Sequence, residues 1–286
     1  MARTIGNPLS WTARNLGATS SHIAASTSQI GGEANTAPPV VNTLTTDDLA
    51  AALRAGWQDF LASRADALFL VLIYPIAGLI LIGFGLHLDL LPLLFPLAAG
   101  FALLGPVAAV GLYEISRRRE LGEAADWRQA FDVIRSPSFG AIVVMGLYLA
   151  VLFLAWLFTA QAIYAATLGP ETPASLGSFL ADVLTTGPGW TLIVLGCGAG
   201  FLFALAALAL SAISFPLLLD RHVGVPVAMV TSVRVFARNP RVMLTWGAIV
   251  AAALVLGAIP VLLGLIVVMP VLGHATWHLY RRLVQS

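Results

Sequence analysis

Five long stretches of the chain carry no Asp, Glu, Lys or Arg, and shorter amphipathic segments separate them. Ala67–Leu88 runs for 22 residues and Leu90–Tyr113 for 24. Ser136–Pro170 follows, with its apolar part at Phe139–Leu168, then Gly187–Leu219, and last Val242–Tyr280, which is 39 residues long. A membrane-spanning helix needs about 20 residues at a rise of about 1.5 Å each. The last stretch is therefore twice too long for one helix. "GAIP" at 257–260 offers a break, because proline disfavours the helical conformation in the residue before it. The pattern predicts an all-α membrane protein with six transmembrane helices, near 67–88, 90–114, 139–168, 190–219, 242–258 and 260–280. These make up a membrane domain over 45–286. Residues 1–44, rich in Ser, Thr, Ala, Gly and Asn, read as a disordered cytoplasmic tail.

Three segments precede the odd-numbered helices and share a pattern. "TTDDLAAALRAGWQDFLAS" carries Leu49, Leu53, Trp57, Phe60 and Leu61; "EAADWRQAFDVIRSP" carries Trp127, Ala130, Phe131 and Ile134; "PVAMVTSVRVFARNP" carries Met229, Val230, Val233, Phe236 and Ala237. The spacing is helical, with Arg or Asp opposite. It predicts three amphipathic interfacial helices on the cytoplasmic side. Asp47 and Asp48 behind two threonines mark a helix start. Proline in "RSP" and "RNP" suits the first turn of the helix that follows.

Charge orients this arrangement. With the N-terminal tail inside, Arg54, Arg64, Arg117, Arg118, Arg119, Arg128, Arg135, Arg221, Arg234, Arg238, Arg241, Arg281 and Arg282 all fall on one side. The other side receives only Asp89, Glu171 and Asp182. The positive-inside rule then puts both termini in the cytoplasm, and an odd number of helices would break the partition.

Composition narrows the chemistry. The chain is 59% hydrophobic and 10% charged, far below the roughly 25% charged of soluble domains. All 15 basic residues are arginine. Without lysine there is no P-loop lysine and no Schiff-base lysine. The single cysteine, Cys197, excludes an internal disulfide or a Cys-rich metal site. No zinc-protease, nucleophile-elbow or Gly-rich nucleotide motif occurs, and nothing points to nucleic acid.

A candidate polar cluster remains: Glu114, His274 and His278. The two histidines have the i, i+4 spacing used by metal ligands, yet no third and fourth ligand is evident. The competing reading is a helix exit, with Trp277 and Tyr280 as an aromatic belt and Arg281 and Arg282 in the headgroups. A gapless internal match of "PVAAVGLYEISRR" (106–118) with "PVLGHATWHLYRR" (270–282) sets His278 opposite Glu114. Arg117, Arg118, Arg119, Asp220, Arg221, Arg281 and Arg282 are expected to contact lipid or a partner. Gly196, Gly200, Ala204, Ala207 and Ser211 form a small-residue stripe for helix packing.

"FPLAAGFALLGPVAAVGLYEISRRRELGE" and "FPLLLDR…AMVTSVRVFARNP…GLIVVMPVLGHATWHLYRRL" resemble a bacterial family of integral membrane proteins, domain of unknown function 2189, over about residues 50–284. The resemblance implies a multi-pass protein of the bacterial inner membrane with no established activity. Some members carry a cytochrome c oxidase label. A catalytic oxidase subunit needs about six histidines on core helices, and here only His274 and His278 qualify, so the label implies at most an accessory role beside respiratory subunits. The expectation is a non-catalytic accessory, structural or lipid-interacting protein without a cofactor. The alternatives are a transporter or channel for a neutral solute, and a haem- or metal-binding accessory protein built on His274 and His278.

Overall fold

The computed structural model describes residues 39–86, 88–123, 125–221 and 223–284. His22, His87, His222 and residues 1–38 of the expected tail lie outside them. Among the described residues the elements are helical, apart from one antiparallel bridge between Val41 and Val284.

The chain enters α1 (Thr46–Ala62) and, one residue later, α2 (Arg64–Gly85). The backbone N–H of Thr45 donates to Asp48 Oδ2 at 2.9 Å, which satisfies a donor at the start of α1. The expected helix at 90–114 is broken into α3 (Leu94–Phe101), α4 (Gly105–Ala108) and α5 (Val110–Glu120), with 3-10 turns at Leu88–Leu93 and Ala102–Leu104. Pro92, Pro96 and Pro106 each remove a backbone donor and crowd the preceding turn. One carbonyl in this interrupted stretch, Pro96 O, accepts the Trp156 indole N–H at 2.9 Å.

After α6 (Trp127–Ala130) and a 3-10 turn over Phe131–Arg135, α7 (Phe139–Thr167) and α9 (Gly187–Ser211) pack on each other, joined through the short α8 (Leu176–Thr185). The break before α10 (Ser214–Asp220) has a local cause. Ser211 Oγ donates to Ala207 O at 2.6 Å and Ser214 Oγ to Leu210 O at 2.5 Å, and such bonds compete with the helix ladder. The N–H of Ile213 is taken up by Ser232 Oγ at 3.3 Å.

Ser232 belongs to α11 (Val225–Arg238), which leads into α12 (Pro240–Ala258). Pro240 is the first residue of α12, as "RNP" predicts, whereas Pro137 sits in the turn before α7. The 39-residue apolar run is divided at 259–264, and α13 (Leu265–Leu283) follows. Val261 and Leu262 have φ of 51° and 65°, a conformation rare for a bulky residue. They hold the reversal that sets Gly264 against Gly257, where a Cβ on Gly264 would meet Gly257 Cα at 2.7 Å.

Among the described residues, four helical stretches are long and apolar enough to cross a membrane: Leu90–Glu120, Phe139–Thr167, Gly187–Asp220 and Pro240–Ala258. The other two expected segments are also helices. In α2 the apolar part behind Pro75 is shorter, at Pro75–Gly85. In α13 the C-terminal half is polar and buried, with Gly273, His274, Ala275, Trp277, Leu279, Tyr280 and Leu283 inside the protein.

The core lies at that end, where α1, α5, α10, α11 and α13 converge around Leu112, Ile115, Phe215, Ala228 and Leu279. Here the amphipathic segments turn inward a face that only partly overlaps the apolar stripe read in the sequence. α1 buries Leu49, Ala52, Gly56, Asp59 and Phe60, while Trp57 stays 45% and Leu61 42% exposed. Val133 is buried and Phe131 and Ile134 are exposed. α11 buries Ala228, Thr231, Ser232 and Val235 and exposes Val230 and Val233. Small and polar residues go in because neighbouring backbones come close.

Candidate functional site

Three helices bring five polar side chains to one point. α1 supplies Asp59; α5 supplies Ser116 and Arg119, three apart on one face; α13 supplies His274 and His278, four apart on one face. The approach of α1 to α13 depends on Gly56, where a Cβ would lie 2.5 Å from Ala275 N and 2.7 Å from Ala275 Cβ. No side chain larger than hydrogen fits without moving the two helices apart.

Asp59 is the hub. Its Oδ2 accepts from Ser116 Oγ at 2.7 Å and from His278 Nε2 at 2.8 Å, and its Oδ1 accepts from Arg119 Nε at 3.0 Å. Ser116 Oγ also lies 2.8 Å from His274 Nδ1. A carboxylate only accepts, so the single Ser116 proton goes to Asp59 and Ser116 must accept from His274 Nδ1–H. That fixes the His274 tautomer and leaves Nε2 with a bare lone pair. His274 is fully buried, and Nε2 has no hydrogen-bond partner among the described residues. The relay thus runs from a buried nitrogen, through a hydroxyl and a carboxylate, to His278, whose side chain is 24% exposed.

Burial alone would raise the Asp59 pKa. The hydrogen bonds from His278 and Ser116 and the nearby histidine charge outweigh it and hold the carboxyl at about 2. Asp59 is therefore ionised wherever the fold is intact near neutral pH. Ser116 is wholly buried, which keeps its hydroxyl out of reach of a substrate in this conformation. Two grooves, lined by residues such as Phe95, Trp156 and Gly200 in one and Val40, Arg234 and Arg238 in the other, include none of these five residues. The cluster clamps three helices through one ionised carboxylate.

Glu114 stands apart from the histidines, despite the internal match. It takes Arg117 Nε and Nη2 at 2.8 Å each and Arg118 Nε at 2.6 Å, and Arg118 continues to Asp132 at 3.0 Å. The bidentate Arg117 pair occupies both carboxylate oxygens. Among the described residues no group of three or more His, Cys, Asp or Glu is arranged to hold a metal.

The residues expected to face lipid are engaged within the protein. Arg119 is on Asp59, Arg281 reaches Glu120 at 2.9 Å and Asp220 at 3.4 Å, and Arg282 reaches Asp48 at 3.2 Å. Arg221 sits 3.8 Å from Asp220. Trp277 and Tyr280 are buried rather than in a belt, because the indole N–H donates to Glu120 at 3.0 Å and the phenol O–H to Asp220 at 2.6 Å. A buried Trp or Tyr needs such a partner. In the small-residue stripe, a Cβ on Gly200 would meet the Trp156 ring at 3.1 Å and Ala207 and Ser211 are buried, whereas nothing lies within 4 Å of a Cβ on Gly196. Gly196, Gly200 and Ala204 line an apolar groove of about 280 Å³.

Sequence reading missed Asp59 and Ser116, and it gave Arg119 to lipid or a partner rather than to this cluster. One signal was present. Asp59 falls on the line Leu49, Ala52, Gly56, Ser63, where small residues mark the closely packed face, and an acid on that face needs donors across the interface.

No curated protein and no solved structure matches the chain. The Gly273–Arg282 motif lies outside the residues that match a family model. Residues 94–220, which carry the broken helix, its arginine-rich exit and the α7–α9 pair, match the family model described as "Predicted integral membrane protein (DUF2189)", so this part of the chain is similar to that family of integral membrane proteins.

Proposed function

We propose that the chain is a six-span, non-catalytic protein of the bacterial inner membrane, with both ends on the cytoplasmic side. In this reading the ends of α5, α10 and α13 join α1, α6 and α11 in an ion-paired cap over one end of the bundle. The outer faces of α1, the Phe131–Arg135 turn and α11 rest on the leaflet. The single observation behind this is the joining of the two chain ends. Asp59 bonds His278, Asp48 bonds Arg282, and Val41 pairs with Val284. A chain whose first and last helices meet on one side crosses the membrane an even number of times. Four apolar stretches qualify by length, and α2 and α13 supply the remaining pair.

The outward apolar residues support the interfacial part. Trp57 and Leu61 precede α2, Ile134 precedes α7, and Val230 and Val233 precede α12, each exposed within a few residues of an apolar helix. Aromatic and aliphatic side chains in that position match a helix lying in the interface. Arg117–Arg119, Arg281 and Arg282, from which a lipid or partner contact was expected, are paired with carboxylates and stay partly exposed at this end.

Single cysteines introduced at Thr43 and at Thr172, in a Cys197→Ser background, test the topology with an impermeant thiol reagent added to intact cells. Labelling at 172 and protection at 43 is the expected outcome. Equal labelling at both positions, or labelling at 43 alone, would overturn the reading.

A further inference from the structure

Most arginines at the cap are matched by carboxylates, but Arg54, Arg234, Arg238 and Arg241 have none within ion-pair distance among the described residues. Three of the four lie on or just beyond α11. Arg234 and Arg238 are one helical turn apart, on the same face. With Ala237 between them they line a groove of about 500 Å³ whose opposite wall is Pro39, Val40 and Val41. That volume lies within the range of small-molecule sites, about 300–1,000 Å³.

The wall is built rather than incidental. Asn42 N donates to Leu283 O at 2.8 Å, Asn239 Nδ2 to Asn42 O at 2.9 Å, and Leu44 N to Asn239 Oδ1 at 2.9 Å. Arg238 Nε donates to Thr43 Oγ1 at 3.3 Å. That bond steadies the guanidinium and leaves its terminal nitrogens for an oxyanion. Two arginines with no carboxylate partner, one turn apart, match the donor geometry a phosphate monoanion or diester takes.

We propose that this groove binds the phosphate headgroup of an anionic phospholipid of the cytoplasmic leaflet. The charge is complementary, and the surroundings choose a lipid over a free anion. Val40 is 61% exposed beside the arginines, and Val230 and Val233 are exposed on the same helix. A soluble phosphate would have no use for this apolar surface, whereas a phospholipid presents glycerol and acyl carbons next to its phosphate. Arg238 stands two residues and Arg234 six residues before Pro240, the first residue of an apolar helix long enough to cross the bilayer. That is where headgroup phosphates lie. The proposal rests on the reading of α11 as an interfacial helix.

The test uses the full-length protein in a neutral detergent, titrated separately with short-chain phosphatidylglycerol, short-chain phosphatidylcholine and inorganic phosphate, with thermal stabilisation as the readout. The expected result is saturable stabilisation by phosphatidylglycerol only, weakened by salt. The double variant Arg234→Gln/Arg238→Gln should weaken it by about thirtyfold, from two basic contacts near a surface at the usual strength. Arg234→Lys/Arg238→Lys should keep most of it. Both arginines are exposed and free of carboxylates, so the variants should melt like the parent without lipid. Equal stabilisation by inorganic phosphate would make this a free-anion site and overturn the proposal. So would an unchanged phosphatidylglycerol titration in the glutamine variant. Failure of the topology test would remove the interfacial reading itself; with that topology intact, an unchanged titration removes only the lipid site.

Discussion

Replacing Asp59 by Asn tests whether the buried cluster holds the cap together. The side chain keeps its shape and one acceptor oxygen, but the other atom becomes an NH2 facing a donor, either Arg119 Nε or the Ser116 and His278 pair. Two estimates bracket the cost. Asp59 is held at about 2 against an ordinary 3.8, a difference worth about 2 kcal/mol of folding free energy at neutral pH. Breaking a buried pair by removing one charge costs about 3–5 kcal/mol. The side chain is 11% exposed, so screening takes little away. We expect a loss of about 2–4 kcal/mol, or a fall in Tm of roughly 5–15 °C for a chain of this size. The assay is thermal unfolding of the purified protein in detergent, followed by tryptophan fluorescence. The pH dependence sharpens it. Because the folded pKa is depressed, the ionised network stabilises fully above about pH 4 and loses its contribution as pH falls toward about 2. The gap between parent and variant should therefore close across that window. An unshifted melt at neutral pH, or a gap that stays constant down to the acid end, would refute the clamp.

Other outcomes follow from the same packing. Gly56→Leu should separate α1 from α13 and expose residues 46–62 to limited proteolysis, since even a Cβ there meets the Ala275 backbone at 2.5 Å; a protease-resistant variant would contradict the close approach. Tyr280→Phe removes a buried donor to Asp220 and should cost about 1–2 kcal/mol, visible as a lower Tm; an unchanged melt would mean the 2.6 Å contact is not made in solution. Metal analysis and an absorption spectrum of protein from its native membranes should give no stoichiometric metal and no haem band, because among the described residues the free His274 Nε2 has no group of three or more His, Cys, Asp or Glu arranged with it to complete a site; a haem band abolished by His274→Ala would reverse that expectation. A mild-detergent pull-down should bring lipid but no stoichiometric oxidase subunit, and a co-purifying oxidase would revive the accessory role beside a respiratory complex.

The helices were legible because burial in lipid demands long uncharged runs, and such runs are visible without any knowledge of contacts. The break at 259–264 and the arginine-rich ends were legible for the same reason. The fracture of 90–120 was less so: its prolines were visible, but whether they kink one helix or divide it depends on partners such as the Trp156 indole. The inward face of α1 and α11 was not legible. Apolar periodicity identifies the buried side when the outside is water. At a membrane surface both sides accept apolar residues, so Trp57 and Val230 could face out while Asp59 and Ser232 face in.

By itself, then, the sequence determined a helical membrane protein with its positive charge gathered at one end, because hydration energy alone forbids unpaired charge inside the bilayer. Tertiary structure decided which arginines are spent on carboxylates and which remain for other ligands, and that His274, Ser116, Asp59 and His278 form one chain while Glu114 belongs to another. Those choices depend on distances between helices far apart in sequence, set by close approaches such as Gly56 to Ala275, which no periodicity along the chain encodes.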